Sequence, residues 1–202
     1  MQGSTLWVLD SAANTLLGYD LDGKPGGQVH LCECFNPRAV ALARDGNFWV
    51  ADTGHNQVLK VTPSGTLVQT LGSAGAGPGQ FAEPAGVWET GDGTLYVADI
   101  SNQRVQSFGA DGRPLAQWPV GPSIARDGNR LAGDSAGRVL VTEVAAQAVV
   151  RYDAHGTEQG RWSYAPQGAP LTPAAGIAPT GGDSFLVLFL RDNLAAVFAP
   201  PK

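Results

Sequence analysis

The chain has 202 residues, 27 of them glycine and 14 proline, and a formal net charge of −5. Because glycine and proline are the poorest helix formers, this composition excludes a helical bundle, and an apolar share of 43% excludes a disordered chain. The 13 lysines and arginines form no basic run, so neither nucleic acid nor an anionic membrane surface is an expected partner. A loop-rich β protein is the class that remains.

A pattern of sixteen residues recurs five times along the chain. The copies are Ser4–Tyr19, Gly46–Val61, Gly93–Phe108, Gly137–Tyr152 and Asp183–Phe198. We call the seventh residue of each copy its anchor, and the anchors are Asp10, Asp52, Asp99, Glu143 and Phe189. Successive anchors lie 42, 47, 44 and 46 residues apart, and short apolar segments alternate with polar turns between them. Four short strands repeated at this spacing are typical of the blades of a β-propeller.

Taken in chain order, the copies predict an incomplete first blade, three complete blades and an incomplete last blade. The first copy begins at a second strand and the last copy ends at a third strand, so we expect 18 strands in all. The residues of Glu143–Ala148 have helix propensity, but their alignment with the other copies overrides it. The predicted blades span residues 1–34, 35–80, 81–121, 122–166 and 167–202.

The second and third copies resemble NHL repeats. The matching stretches are Trp49–Gly54 (WVADTG), Tyr96–Asp99 (YVAD) and Asn102–Val105 (NQRV), and the first copy matches in Trp7–Asp10 (WVLD). The last two copies are degenerate, because Glu143 and Phe189 replace the anchor aspartate. The resemblance implies a platform for a protein or another ligand. Some NHL-like propellers are amidating lyases, gluconolactonase-like hydrolases or streptogramin-type lyases, so a lyase or hydrolase with an axial metal is the alternative.

We therefore predict an all-β fold in which residues 1–202 form one β-propeller domain of five NHL-like blades. Both end blades have their own second and third strands, so they cannot merge into one. Either the five blades close imperfectly, or the chain is a piece of a larger ring, for example one of six blades, and we favour the piece. No signal peptide or membrane-spanning apolar run is visible, and an extracytoplasmic location is favoured if the chain is part of a larger protein.

Polar turns that follow the anchors are the best candidates for ligand recognition. In a propeller such turns gather on one face, and the innermost strand of each blade begins at the same face. Amide and guanidinium groups are adaptable binders, although exposed turns are also polar without binding anything. The candidate ligand-binding residues are Arg38, His55, Asn56, Gln57, Asn102, Gln103 and Arg104, and the turns of the last two blades hold Gln147, Arg191, Asp192 and Asn193.

No catalytic residue, metal site or cofactor is predicted. An aspartate at a strand end accepts hydrogen bonds from the backbone amides that follow it, so we interpret the anchor acids as structural. The histidines, His30, His55 and His155, occupy different positions in their copies and are not expected to converge on one ion. Cys32 and Cys34 are separated by a single residue, and a disulfide across one residue is strained. We therefore expect reduced thiols, with redox chemistry or crosslinking to another chain as alternatives.

The predicted function is a non-catalytic scaffold that binds a protein or a small ligand on one propeller face. Unpaired strand edges in the incomplete end blades promote pairing with other chains, so we also expect self-association. This pairing should begin at the N-terminal edge, around Thr5–Leu9, because Pro200 and Pro201 block it at the other end.

Overall fold

A computed structural model describes residues 5–31, 33–122, 130–164, 174–181, 183–189 and 194–199. These residues contain 18 β-strands and a single 3₁₀ turn, η1, at Thr53–His55. The strands form five antiparallel sheets. The predictions made for Cys32, Arg191, Asp192, Asn193, Pro200 and Pro201 fall outside the described residues.

Each sheet is one blade, and the blades are numbered here in chain order. Blade 1 holds β1 (Leu6–Asp10), β2 (Thr15–Tyr19) and β3 (Pro25–His30). Blade 2 holds β4 (Pro37–Leu42), β5 (Phe48–Asp52), β6 (Gln57–Val61) and β7 (Leu67–Leu71). Blade 3 holds β8 (Pro84–Glu89), β9 (Leu95–Asp99), β10 (Arg104–Phe108) and β11 (Pro114–Pro119). Blade 4 holds β12 (Leu131–Gly133), β13 (Val139–Glu143), β14 (Ala148–Tyr152) and β15 (Glu158–Ser163). Blade 5 holds β16 (Gly176–Gly181), β17 (Ser184–Phe189) and β18 (Leu194–Phe198).

The innermost strands of blades 2 to 5 line the propeller axis. These strands, β4, β8, β12 and β16, contact one another in that order, and each pairs with the next strand outward in its own blade. The described part of blade 1 consists of the strands equivalent to the second, third and fourth of a complete blade. The chain therefore builds its blades radially, one after another, around a shared axis.

Apolar side chains fill the space between successive blades. Val50 and Val61 of blade 2 pack with Leu16 of blade 1, while Val58 on the opposite face of blade 2 packs with Val97 of blade 3. Every residue of β5, β9 and β13 is buried, which explains why these strands are apolar on both faces instead of alternating. Burial between two neighbours is thus what selects the sequence of the central blades.

The turn after each of the first four anchors places one residue in the left-handed backbone region. This residue comes four positions after the anchor, and φ is 50° at Asn14, 55° at Asn56, 52° at Gln103 and 48° at Gln147. Among residues with a side chain, asparagine enters this region most readily. Backbone geometry is therefore one reason why the turns carry amides.

The predicted fold is confirmed, since the chain is an all-β, five-bladed propeller with 18 strands in its described part. Each sheet lies inside one of the five predicted blade segments. The helix propensity of Glu143–Ala148 is overridden as expected, because β13 ends at Glu143 and β14 begins at Ala148. No helix in the described ranges is long and apolar enough to cross a membrane.

Candidate functional site

One face of the propeller collects the turns after the anchors and the connections between blades, and we call it the turn face. A connection leaves the outermost strand of one blade and enters the innermost strand of the next, as residues 31–36 and 72–83 do. Ser11 Oγ donates to the Pro37 carbonyl and Thr53 Oγ1 donates to the Pro84 carbonyl, each at 2.6 Å. Each of these turns therefore holds the start of the next blade's inner strand.

The mouth of the axial channel opens on the turn face as a cavity of about 250 Å³. Arg38 and Arg130 line it, together with alanine, valine, glycine, leucine and isoleucine residues of the four inner strands. Arg38 occupies a β-bulge, because Pro37 pairs with Asp52 and Ala39 with Ala51. A bulge redirects the side chain of the extra residue. Arg38 thus lies at the channel mouth.

The channel mouth does not fit a metal ion. Arginine has only hydrogen-bond donors, and the other lining residues of the described cavity have no side-chain nitrogen, oxygen or sulfur to offer. His30 lies at the end of β3, His55 in η1 and His155 in the turn before β15. Across the described residues, no three His, Cys, Asp or Glu side chains lie close enough to hold a metal ion.

The turn of blade 3 is a closed polar network centred on the fully buried Asp99. Asn102 Nδ2 and Arg104 Nε each donate to Asp99 Oδ2 at 2.8 Å. The remaining donors of Arg104 bond to the carbonyls of Ala76, Gly77 and Gln80 and to Gln117 Oε1, at 2.7 to 3.0 Å. All five guanidinium hydrogens therefore have protein acceptors, and Arg104 is only 9% exposed. Its contacts are structural.

In the turn of blade 2, a different set of donors satisfies the buried anchor aspartate. Asp52 is also fully buried, but it accepts from His55 Nδ1 at 2.9 Å and from Gln57 Nε2 at 2.8 Å. The backbone amide of Phe35 donates to its other oxygen at 2.7 Å. The His55 side chain is 48% exposed, and its ring lies 5.8 Å from that of Phe35. An imidazole with a buried carboxylate behind it thus faces outward in this blade.

A cleft of about 590 Å³ opens beside this imidazole. It is lined by Glu33, His55, Gln57, Leu59, Leu67 and Thr70. Leu59 also belongs to the apolar cluster between blades 1 and 2, so the cleft lies on the face of blade 2 that is directed toward blade 1. We call it the blade 2 cleft.

The structure separates the seven candidate ligand-binding residues into groups. Arg38 lines the channel mouth, and His55 and Gln57 line the blade 2 cleft. Asn56 accepts a hydrogen bond from the Glu83 amide at 2.8 Å, and Asn102 and Arg104 belong to the Asp99 network. Gln103 is exposed on the turn face. Ligand binding by these residues stays a prediction, but Asn56, Asn102 and Arg104 have structural partners that account for them.

The structure corrects the partners predicted for the anchor acids. Only Asp10 bonds in the predicted way, since its Oδ1 accepts from the amides of Ala12 and Ala13. Asp52 and Asp99 accept instead from side chains of their own turn and from one amide of the preceding connection. Both carboxylates are fully buried, and one amide of the preceding connection, Phe35 or Ala82, donates to each.

Glu143 fills the anchor position in blade 4 with a third arrangement. It accepts hydrogen bonds from the Gly121 amide at 2.9 Å, from Arg161 at 2.7 Å and from the Tyr152 hydroxyl at 2.9 Å. Burial raises the pKa of Glu143, but these hydrogen bonds and the Arg161 charge outweigh it and hold the pKa below its ordinary value. The same carboxylate raises the pKa of Tyr152, whose burial is the larger cause.

Sequence reasoning missed Glu33, Arg130 and Phe35, which lie in connections between blades and not in the turns after the anchors. One signal was available for the cleft. Aligned on their anchors, the second copy has Gln57 where the third has Arg104. The connection before β4 is also shorter than the one before β8, with residues 31–36 in place of residues 72–83. Both differences indicate that blade 2 has less protein in the space beside its anchor aspartate than blade 3 has.

Comparison with known proteins agrees with this geometry. A family model described as NHL repeat matches residues 36–61. Peptidyl-glycine alpha-amidating monooxygenase B of Xenopus laevis is 32% identical over 58% of this chain and 13% of its own length. NHL repeat-containing protein 3 of Homo sapiens is 28% identical over 52% of this chain and 33% of its own length. This chain therefore matches only a minor part of either relative.

Solved structures show the same fold at low sequence identity. Virginiamycin B lyase from Staphylococcus aureus superimposes with a TM-score of 0.68 and 16% identity, covering 100% of this chain and 68% of that one. At this identity the likeness concerns the fold alone. Fold and turn geometry define the class as a β-propeller. Residues 36–61, which span β4 to β6, are an NHL repeat, so the resemblance to NHL-repeat proteins is confirmed.

Proposed function

We propose that this chain is a non-catalytic binding module whose axial channel mouth receives an anionic group of a protein or small ligand. The observation that carries the proposal is the presence of Arg38 and Arg130 in a cavity otherwise lined by apolar residues. In the described residues Arg38 makes no ion pair with an acidic side chain. A carboxylate or phosphate beside the Arg38 guanidinium forms charge-assisted hydrogen bonds, which are the strong class.

The test uses citrate as a polycarboxylate probe and isothermal titration calorimetry on the whole chain. Replacing Arg38→Ala should weaken citrate binding by about tenfold, because a charge-assisted contact is lost. Arg113→Ala is the matched control, since the Arg113 side chain is 84% exposed and pairs only with Asp111 in a turn of the opposite face. Equal affinities of the wild type and Arg38→Ala would contradict the axial site.

The competing function is a lyase or hydrolase with an axial metal. The name of the amidating monooxygenase, a protein that this chain resembles in part, favours a catalytic role. Against it stands the lining of the channel mouth, which offers guanidinium and apolar groups where a metal needs nitrogen, oxygen or sulfur ligands. Elemental analysis of purified protein before and after chelation separates the two functions. A stoichiometric zinc ion that survives dialysis would overturn the binding-module proposal.

We also propose that this chain associates with itself through its end blades. Leu6 and Val8 of blade 1 are 59% and 42% exposed, and Leu194 and Val197 of blade 5 are 41% and 65% exposed. Exposed apolar side chains beside unpaired strand edges favour association. Sedimentation velocity should show a smaller species after Leu6→Lys with Val197→Lys. Leu115→Lys is the matched control, because Leu115 is 61% exposed but belongs to blade 3. A monomeric wild type at low micromolar concentration would exclude this association.

A further inference from the structure

The polar rim of the blade 2 cleft presents hydrogen-bond acceptors. The buried Asp52 carboxylate can only accept, so it draws His55 Nδ1–H and Gln57 Nε2 toward itself. Among the described contacts, His55 Nε2 and Gln57 Oε1 have no hydrogen-bond partner in the protein, and both side chains line the cleft. The Glu33 carboxylate lines the same cleft and has no ion-pair partner among the described residues. This rim therefore fits a ligand that is rich in donors and positively charged.

In blade 3 a cation fills part of the equivalent space, and a smaller cleft of about 260 Å³ remains beside Gln106, Pro114 and Gln117. Counted from the anchors, Gln57 corresponds to Arg104, His55 to Asn102 and Glu33 to Gln80. The Arg104 guanidinium lies between Asp99, Gln117 and the carbonyls of the 76–80 segment. Blade 3 therefore shows what this pocket of the repeat accepts, namely a planar group with five donors.

Blade 2 lacks both components that fill the pocket in blade 3. Gln57 is shorter than an arginine and carries no charge. The connection that enters blade 2 has six residues, 31–36, whereas the connection that enters blade 3 has twelve, 72–83. In blade 3 this longer connection supplies the carbonyls that enclose Arg104. Its absence leaves the blade 2 cleft open to the outside.

We propose that the blade 2 cleft binds the guanidinium group of an arginine side chain presented by a partner polypeptide. Glu33 supplies the opposite charge, Gln57 supplies an amide acceptor, and His55 lines the same cleft. Leu59 and Leu67 give the cleft an apolar wall against which the methylene stem of an arginine packs. The site is separate from the axial channel mouth, and it does not depend on the proposed anion site there.

The experiment follows binding of Nα-acetyl-argininamide to the ¹⁵N-labelled whole chain by NMR. Amide resonances of residues 52–59 should shift, while those of residues 99–106 in blade 3 should not. Nα-acetyl-citrullinamide has nearly the same shape without the charge and should bind about tenfold more weakly. Equal affinity for the citrulline compound overturns the proposal. Equal affinity for Nα-acetyl-lysinamide overturns it too, because the cleft would then recognise any cation and not a guanidinium group.

Two variants test the residues themselves. Glu33→Gln removes the only carboxylate that lines the described cleft and should weaken binding by about tenfold without changing the fold. Gln57→Arg places a guanidinium inside the cleft, as in blade 3, and should abolish binding of the probe. Gln103→Ala, in the exposed turn of blade 3, is the control and should bind as the wild type does. Circular dichroism checks that each variant folds. Unchanged binding by folded Glu33→Gln contradicts the proposal, even if Gln57→Arg fails to fold.

Discussion

Blades 2 and 3 contain the same buried aspartate at the end of the same strand, yet they neutralise it differently. In blade 3 a buried arginine pairs with Asp99 and is enclosed by the preceding connection. In blade 2 a half-exposed histidine and a neutral amide satisfy Asp52, and a cleft remains beside them. The repeat thus fixes where the carboxylate lies but not which side chains donate hydrogen bonds to it. The cleft beside the carboxylate also differs in size, with about 590 Å³ in blade 2 and about 260 Å³ in blade 3.

The largest expected effect comes from breaking the Asp99–Arg104 pair. Arg104→Met removes the cation and leaves a buried carboxylate without a charge partner, which should cost about 3–5 kcal/mol of unfolding free energy. Urea unfolding measures the loss. Arg113→Met is the control, since the Arg113–Asp111 pair is on the surface and its removal should change nothing measurable. A loss below about 1 kcal/mol would mean that the pair does not hold blade 3 together.

Glu143 extends the comparison to a third blade, with an expected effect of intermediate size. Glu143→Gln should lower the unfolding free energy at neutral pH by about 2 kcal/mol, because a charged acceptor of three hydrogen bonds is lost. The folded pKa of Glu143 is lowered, so its stabilisation is present above the unfolded pKa and disappears as pH falls through the folded value. Unfolding curves of wild type and variant should therefore converge in acid. A difference that does not depend on pH would argue against the ionised form.

Asp52→Asn should cost less than either change, about 1.5 kcal/mol. The partners of Asp52 are an amide, an imidazole and a backbone N–H, so the loss of its charge strands no buried cation. The matched change Asp99→Asn leaves Arg104 buried without its carboxylate and should cost about 3 kcal/mol. Thermal unfolding of Asp52→Asn and Asp99→Asn under the same conditions compares the two losses of stability. Equal losses would remove the energetic distinction between the two blades.

The smallest expected effect separates the two left-handed turn residues. Asn56→Gly keeps the backbone conformation but loses the hydrogen bond from the Glu83 amide, so it should cost about 1 kcal/mol. Gln103→Gly has the same backbone change without such a bond and should be neutral to within about 0.5 kcal/mol. Chemical denaturation resolves a difference of this size. If both glycine variants lose the same stability, the Asn56 side chain does not tie blade 2 to blade 3.

Much of the fold could be predicted from the sequence, because its signal is repeated. Anchors at Asp10, Asp52 and Asp99 fix the register of three blades, and that register carries the two degenerate copies with it. The strands are apolar on both faces since each lies between two neighbours, and burial of this kind is visible in composition. The position of Arg38 at the channel mouth follows from the same register.

The site could be predicted only in part, because hydrogen-bond partners depend on the connections between blades. Nothing in the sequence around Asp99 indicates that the carbonyls of Ala76 and Gly77 enclose Arg104. Nor does it indicate that the Phe35 amide reaches Asp52 from above. The sequence predicts Asn102 and Arg104 as ligand-binding residues because polar turns usually face solvent. The preceding connection instead buries Arg104 and accepts its hydrogen bonds. Long-range contacts of irregular segments leave no periodic pattern to read.

The six-residue and twelve-residue connections have a consequence for how such a protein acquires new specificity. Doubling the length of a surface loop costs only about 0.6 kcal/mol of closure entropy, so an insertion between blades lowers the stability of the propeller very little. Insertions and deletions there change which pockets are sealed while every sheet keeps its register. If the proposed arginine site exists, the connection that enters each blade can change its cleft without changing the neighbouring blades. Transplanting residues 72–83 in place of 31–36, with Gln57→Arg, would give blade 2 the connection and the guanidinium that fill the equivalent position in blade 3.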